Sequence, residues 1–140
     1  MVSDLEKIYK AGIAAVNPAR CIHSCVRIDG ERLFVLADKT ILAEIDLDSI
    51  KRIFVVGAGK GTAPMAEAIE EILGKRIDSG IICVKEGYTG SLSRIIQREA
   101  SHPIPDTRGM DAAGEIVSLL GGAGKDDLVI SLISGGGSAL

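Results

Sequence analysis

The sequence predicts an α/β chain in three layers, with helices on both sides of a mainly parallel sheet. Three observations lead there. Continuous apolar runs recur at 53–56, 80–84 and 128–133, as in strands buried on both faces. Helical periodicities at 62–73 and 106–120 lie between them. Glycine-rich turns follow two of the runs, at 57–61 and 135–137. Strand–helix alternation of this kind builds right-handed βαβ units.

The elements follow in order. Residues 3–16 read as an amphipathic helix, with Leu5, Ile8, Tyr9, Gly12, Ile13 and Val16 on one face. Ser3 and Glu6 have capping-box spacing, and Asn17-Pro18 ends the helix. The expectation is a helix packed on the body of the protein. Residues 26–45 hold short strand-like pieces. Asp29-Gly30 is a hairpin signal, and Asp38-Lys39 separates 33–36 from 41–45. Residues 1–50 are thus a helix plus a small antiparallel annex. Nothing in 19–50 assigns the annex a role, nor Cys21 and Cys25.

The βαβ core covers 51–140. Residues 53–56 form its first strand. Thr62–Leu73 is a helix with Met65, Ala68, Ile69, Ile72 and Leu73 inward, Glu67, Glu70 and Glu71 outward, and Gly74 as its C-terminal cap. Strands follow at 80–84 and 95–100. The 106–120 helix has Asp106 as cap and turns Met110, Ala113, Ile116, Val117 and Leu120 inward. Leu128–Ile133 is the last strand. The whole reads as a Rossmann-like α/β/α arrangement. Leu140 closes a glycine loop directly after a strand, where another helix is expected, so the chain reads as an incomplete piece of its domain.

Composition narrows the function. The chain has 140 residues, 46% of them hydrophobic, a net charge of −3, two Tyr, two Phe and no Trp. With no basic patch and few rings for stacking, nucleic-acid binding is disfavoured. No apolar run reaches the roughly 18–20 residues of a membrane helix. The polar start, Met1-Val2-Ser3-Asp4, is unlike a signal peptide. Three sparse cysteines fit a reducing, cytoplasmic setting. Cys21, His23 and Cys25 fall short of a four-ligand zinc pattern, so no metal ligands are assigned.

Ligands of open parallel sheets bind beyond the C-terminal strand ends. Four loops belong there: 57–62, 85–90, 101–106 and 134–138. Gly57, Gly59 and Lys60 lie in a strand–turn–helix passage, with Pro64 in the helix's first turn. Glycine lets the backbone approach a ligand, and the helix start attracts anions. The turn is neither a Walker A motif, since Phe54 replaces the required first glycine, nor a full dinucleotide fingerprint, since Thr62 replaces the third. Ser134, Gly135, Gly136, Gly137 and Ser138 have the makings of an anion nest. In 102–106 two prolines stiffen the loop that carries His102 and Asp106. His102 is placed to orient substrate or carry a proton.

Val-Val-Gly-Ala-Gly-Lys at 55–60, His-Pro-Ile-Pro-Asp at 102–106 and Leu-Ile-Ser-Gly-Gly-Gly-Ser-Ala-Leu at 132–140 resemble the successive motifs of the class II glycerate kinases, the glycerate 2-kinases that carry a C-terminal MOFRL domain. The resemblance covers 53–140 and extends to the first helix. It implies ATP-dependent phosphorylation of D-glycerate to 2-phosphoglycerate, with Mg²⁺. Lys60 matches the family's active-site lysine. Ser134 to Ser138 match its glycine loop, expected to hold phosphate or substrate oxygens, and His102 and Asp106 match a motif without separate roles. Family members are about three times longer than this single-domain length. The resemblance therefore makes the chain an N-terminal portion, inactive alone, without the C-terminal remainder and MOFRL domain that would carry further acidic and arginine residues. Two alternatives stand beside it. One is an NAD(P)H-dependent hydroxypyruvate reductase, with Glu86 where a ribose-binding acid would sit. The other is a non-catalytic piece that self-associates or pairs with the missing C-terminal portion through uncovered apolar surface.

Overall fold

A computed structural model describes residues 2–135. In chain order the elements are α1 (Val2–Ala15), α2 (Pro18–Cys25), β1 (Val26–Asp29), β2 (Arg32–Ala37), β3 (Thr40–Asp46), β4 (Ile53–Ala58), α3 (Thr62–Leu73), β5 (Ile77–Lys85), β6 (Ile95–Ala100), α4 (Thr107–Leu120) and β7 (Leu128–Ile133). Two sheets result: an antiparallel one, β1-β2-β3, and a parallel one in the order β6-β5-β4-β7. The α/β class, the parallel core and the antiparallel annex are as the sequence predicts.

Local chemistry accounts for these elements. Gly30 takes φ +60° between β1 and β2, and Asp38 and Lys39 take +47° and +67° between β2 and β3. Positive φ at both central residues of the second turn, and at the first central residue of Gly30-Glu31, matches the right-handed twist of a hairpin. Gly74 ends α3 at φ +54°, its N–H bonded to the Glu70 carbonyl. Asp106 caps α4 by accepting the Arg108 N–H at 3.2 Å.

Side-chain parity divides the parallel sheet into two faces. Ile53, Val55, Ile82, Val84 and Leu132 pack with Ala66, Ile69 and Leu73 of α3 in the main buried cluster. The annex joins this cluster through buried Leu33, and α2 through Ile22. On the other face Cys83, Ala100 and Ala112 of α4 form a small cluster with Ala58 against it.

Several expectations are corrected. Asn17-Pro18 begins a helix as well as ending one: Asn17 Oδ1 accepts the Arg20 N–H at 3.0 Å and Pro18 takes the first turn of α2. Cys21 and Cys25 thereby lie on α2, exposed and half-buried. α1 begins by Val2, so Ser3 is inside the helix rather than its cap. The helix is not packed on the body: Leu5, Ile8, Tyr9, Ile13 and Val16 are 56–70% exposed. Glu67 and Glu70 do not simply face solvent. Glu67 accepts the Ser91 N–H, and Glu70 accepts those of Ser93, Arg94 and Ile95 at 2.6–3.2 Å. These two carboxylates satisfy the backbone leading into β6. On α4, Ala112 is the buried residue, while Met110 and Val117 are 75% and 70% exposed. β7 is covered on one face only. Val129 and Ile133 point the other way at 41% and 64% exposure.

Candidate functional site

The parallel strands end together. Ala58 pairs with Cys83 and with Ile133, and Lys85 pairs with Ala100. The loops after β4, β5, β6 and β7 therefore leave from one edge. The strand order reverses there as well. From β4 the chain moves outward to β5 and β6, then returns through α4 to β7 on the far side of β4. Such a reversal opens a crevice at the C-terminal strand ends, where ligands of open α/β sheets bind. On this edge the 58–62 turn and Ser134 with Gly135 form two facing walls.

The two walls touch. Ser134 Oγ accepts the Gly61 N–H at 2.9 Å, and the Ser134 N–H donates to the Ala58 carbonyl at 3.1 Å. Thr62, with no exposed surface, puts its hydroxyl 3.4 Å from Ser134 Oγ and 3.5 Å from the Leu132 carbonyl. The turn's glycines serve this contact. A Cβ on Gly57 would collide with the Leu132 carbonyl, and one on Gly59, at φ +123°, with Ser134 Oγ. Sequence reasoning gave these glycines to a ligand; their missing side chains also admit β7 and Ser134. From the outside, Pro18 of α2 lies 3.2 Å from where a Gly61 Cβ would be.

Lys60 stands exposed at the tip of the turn, and its ammonium makes no ion pair among the described residues. The Gly61 N–H is already engaged, so anion attraction at this turn rests on the Lys60 charge and the start of α3. Ser134 and Gly135 reach this edge, while Gly136, Gly137 and Ser138 lie outside the described residues.

The third wall follows β5 and β6. Arg108 Nε donates to Asp106 Oδ2 at 2.8 Å, and both its terminal nitrogens lie 3.2 Å from Glu86 Oε2. The hydrogen bond from Arg108 holds the Asp106 carboxyl below the usual carboxylate range, against the opposing pull of desolvation. Asp106 is thus a helix cap and an arginine partner, and Glu86 is tied to the same arginine. Arg108 is the residue the sequence reading missed. Its signal was position, two residues past a helix cap. Burial, with Asp106 nearby, pushes the Cys83 thiol up and keeps it protonated. Lys85 Nζ sits 5.4 Å from the centre of the Tyr88 ring. The peptide between His102 and Pro103 is cis. His102 Nδ1 is the one buried side-chain polar atom without a hydrogen-bond partner among the described residues. Among the described residues no group of three or more His, Cys, Asp or Glu side chains is arranged to hold a metal ion, and no helix is long and apolar enough to cross a membrane.

Comparison with known proteins adds the family. The model of DUF4147, a domain of unknown function, matches residues 4–140. A glycerate 2-kinase of Pyrococcus horikoshii is 38% identical over 128 residues, 91% of this chain and 27% of that protein. A putative hydroxypyruvate reductase of Agrobacterium vitis is 46% identical over 89 residues, 64% of this chain and 20% of that protein. The crystal structure of a glycerate kinase from Thermotoga maritima superposes with a TM-score of 0.72 at 28% identity, over 96% of this chain and 28% of that one. The chain thus spans under a third of the length of each of these proteins. It belongs to the DUF4147 family; its likeness in sequence is to glycerate kinases and to the putative hydroxypyruvate reductase, and in structure to a glycerate kinase.

Proposed function

We propose that the chain is the N-terminal portion of an ATP-dependent glycerate 2-kinase, which transfers the γ-phosphoryl group of ATP to the 2-hydroxyl of D-glycerate and yields 2-phosphoglycerate and ADP. One observation carries the reading: the turn that bears Lys60 is joined to Ser134, 73 residues on in sequence, at the strand reversal, through the Gly61 N–H and Ser134 Oγ. Its support from likeness is the similarity to glycerate kinases. Lys60 is the catalytic cation in this reading, stabilising charge on the transferring group. Gly57, Gly59 and the loop from Ser134 to Ser138 form the phosphate and substrate wall. His102 and Asp106 form the far side, and the unpartnered His102 Nδ1 suits a wall that is completed from elsewhere. ATP supplies the phosphoryl group. Mg²⁺ belongs to this chemistry, but the described residues offer no three-ligand cluster for it, and no step here runs through it.

The remaining wall, with the MOFRL domain, belongs to a C-terminal portion that this reading places outside the 140 residues. The isolated chain is then inactive, cytoplasmic, and prone to self-association or to pairing with that portion through its uncovered apolar faces. The test uses a protein carrying this chain together with that portion. It is expected to consume ATP only when D-glycerate is present, and Lys60→Ala is expected to lower turnover by about 10²–10⁴-fold while leaving the melting transition in place. Normal turnover in that variant would remove Lys60 from the mechanism.

The second reading, an NAD(P)H-dependent hydroxypyruvate reductase, has the Agrobacterium relative's name in its favour. The geometry weighs against it, because Glu86 is already paired with Arg108 and Thr62 is buried where a third glycine would stand. NADH oxidation with hydroxypyruvate, run beside the kinase assay, separates the two.

A further inference from the structure

We infer that the Ser134 hydroxyl, held by Thr62, is a positioning group: it caps α3 from the neighbouring strand and thereby sets the backbone that presents Lys60. This deepens the glycerate-kinase reading and rests on it for the ligand.

α3 lacks a side-chain cap of its own. Its N-cap residue is Gly61, which has none to offer. The first N–H groups of any helix need acceptors from outside the helix. Ser134 supplies one, accepting the Gly61 N–H at 2.9 Å across 73 residues of sequence. A serine doing this from another strand differs from an ordinary N-cap in one respect: it ties the helix start to that strand. Ser134 is itself anchored by its N–H to the Ala58 carbonyl. Its hydroxyl is seated where Gly59 has no side chain, against the buried Thr62 hydroxyl. Ala58, Gly61 and Thr62 are therefore held by Ser134, Gly59 by its N–H to the Cys83 carbonyl of β5, and Lys60 is the one member of the turn that projects outward. A connected polar network narrows the arrangements open to the groups it joins. Here the arrangement is that of the lysine-bearing turn relative to the end of β7.

The alternative role for this hydroxyl is direct contact with a phosphate or substrate oxygen. In the present geometry it is turned toward Gly61 and Thr62, so a ligand at the turn meets Lys60 first.

The experiment uses ¹⁵N-labelled protein that carries this chain together with the C-terminal portion. Ser134→Ala is expected to speed amide exchange at Gly61 by about tenfold while the β5 and β6 amides keep their rates. It is also expected to weaken binding of whichever of ATP or D-glycerate shifts the Lys60 amide by about tenfold. Thr62→Val follows Ser134→Ala, and Thr62→Ser, which keeps the hydroxyl, stays within about twofold of wild type in both measurements. Unchanged Gly61 exchange in both Ser134→Ala and Thr62→Val would overturn the cap. Faster exchange with unchanged ligand affinity would leave Ser134 a helix cap and overturn its positioning role. A wild-type Lys60 amide that neither ligand shifts would overturn the glycerate-kinase reading and the positioning role with it, while Gly61 exchange would still report on the cap.

Discussion

The two faces of the parallel sheet contrast sharply. On the α3 face, Val55, Ile82, Ala66 and Ile69 are at most 1% exposed, and α2 and the annex cover the helix in turn. On the α4 face the buried cluster is small, Cys83 with Ala100 and Ala112, while Met110, Val117, Val129 and Ile133 stand largely open. The apolar stripes of α3 and α4 look alike in sequence. The difference teaches that a stripe states which residues can be buried, while the surface opposite decides which ones are. It bears on the proposed function because the 58–62 turn starts the helix of the closed face, and a densely packed element gives the backbone that would carry a catalytic cation little freedom to wander.

That contrast can be broken by substitution. Ile69→Ala, on the closed face, is expected to cost about 2–5 kcal/mol of unfolding free energy, read from denaturant midpoints. Gly59→Ala comes next, at about 1–3 kcal/mol. The backbone at φ +123° strains any side chain, and the new methyl would collide with Ser134 Oγ. A neutral result there would mean that Ser134 can swing away and that the two turns are not clamped. Val117→Ala, on the open face, should stay within about 0.5 kcal/mol. Equal costs for Ile69→Ala and Val117→Ala would dissolve the contrast.

A smaller effect tests the opposite edge of the sheet, where β4 and β7 begin. Arg52 grips Asp127 with Nε–Oδ1 at 3.1 Å and Nη2–Oδ2 at 2.6 Å, and the Gly124 N–H donates to Asp127 Oδ2 at 2.7 Å. The Arg52 hydrogen bond, then that of Gly124, holds the Asp127 carboxyl below its ordinary value. Because the folded value is the lower one, the stabilisation is present above the unfolded pKa of about 3.9 and is lost as pH falls through the folded value. Asp127→Asn should therefore flatten the acid limb of the stability profile between about pH 5 and 2. An unchanged limb would show that the pair does not join the strands in solution.

Much of the fold was legible. β7 falls where its apolar run lies and β6 at the strand expected over 95–100, α3 spans Thr62–Leu73 as its periodicity requires, and the hairpin turns fall at Gly30-Glu31, one residue past the Asp29-Gly30 signal, and at Asp38-Lys39. The misses share a cause. α2 was hidden because Pro18 carries two meanings, the end of one helix and the first turn of another, and local sequence cannot choose between them. Glu67 and Glu70 read as solvated because their partners are backbone N–H groups more than 20 residues away. At the site, Lys60 and the two glycine turns were visible as motifs, but the Ser134–Gly61 bond and the Arg108 pairings were not.

By itself the sequence determined the alternation of strands and helices, the glycine turns and the lysine between them, since each is written in local spacing and backbone freedom. The tertiary structure alone decided that β7 lies beside β4. That pairing puts Ser134 over Gly61 and gives Gly57 and Gly59 their reason to lack side chains. It also leaves one face of β7 uncovered. The physical reason is range: periodicity and turn chemistry act over a few residues, whereas the clamp joins groups 73 positions apart, and only the folded sheet brings them within hydrogen-bonding distance.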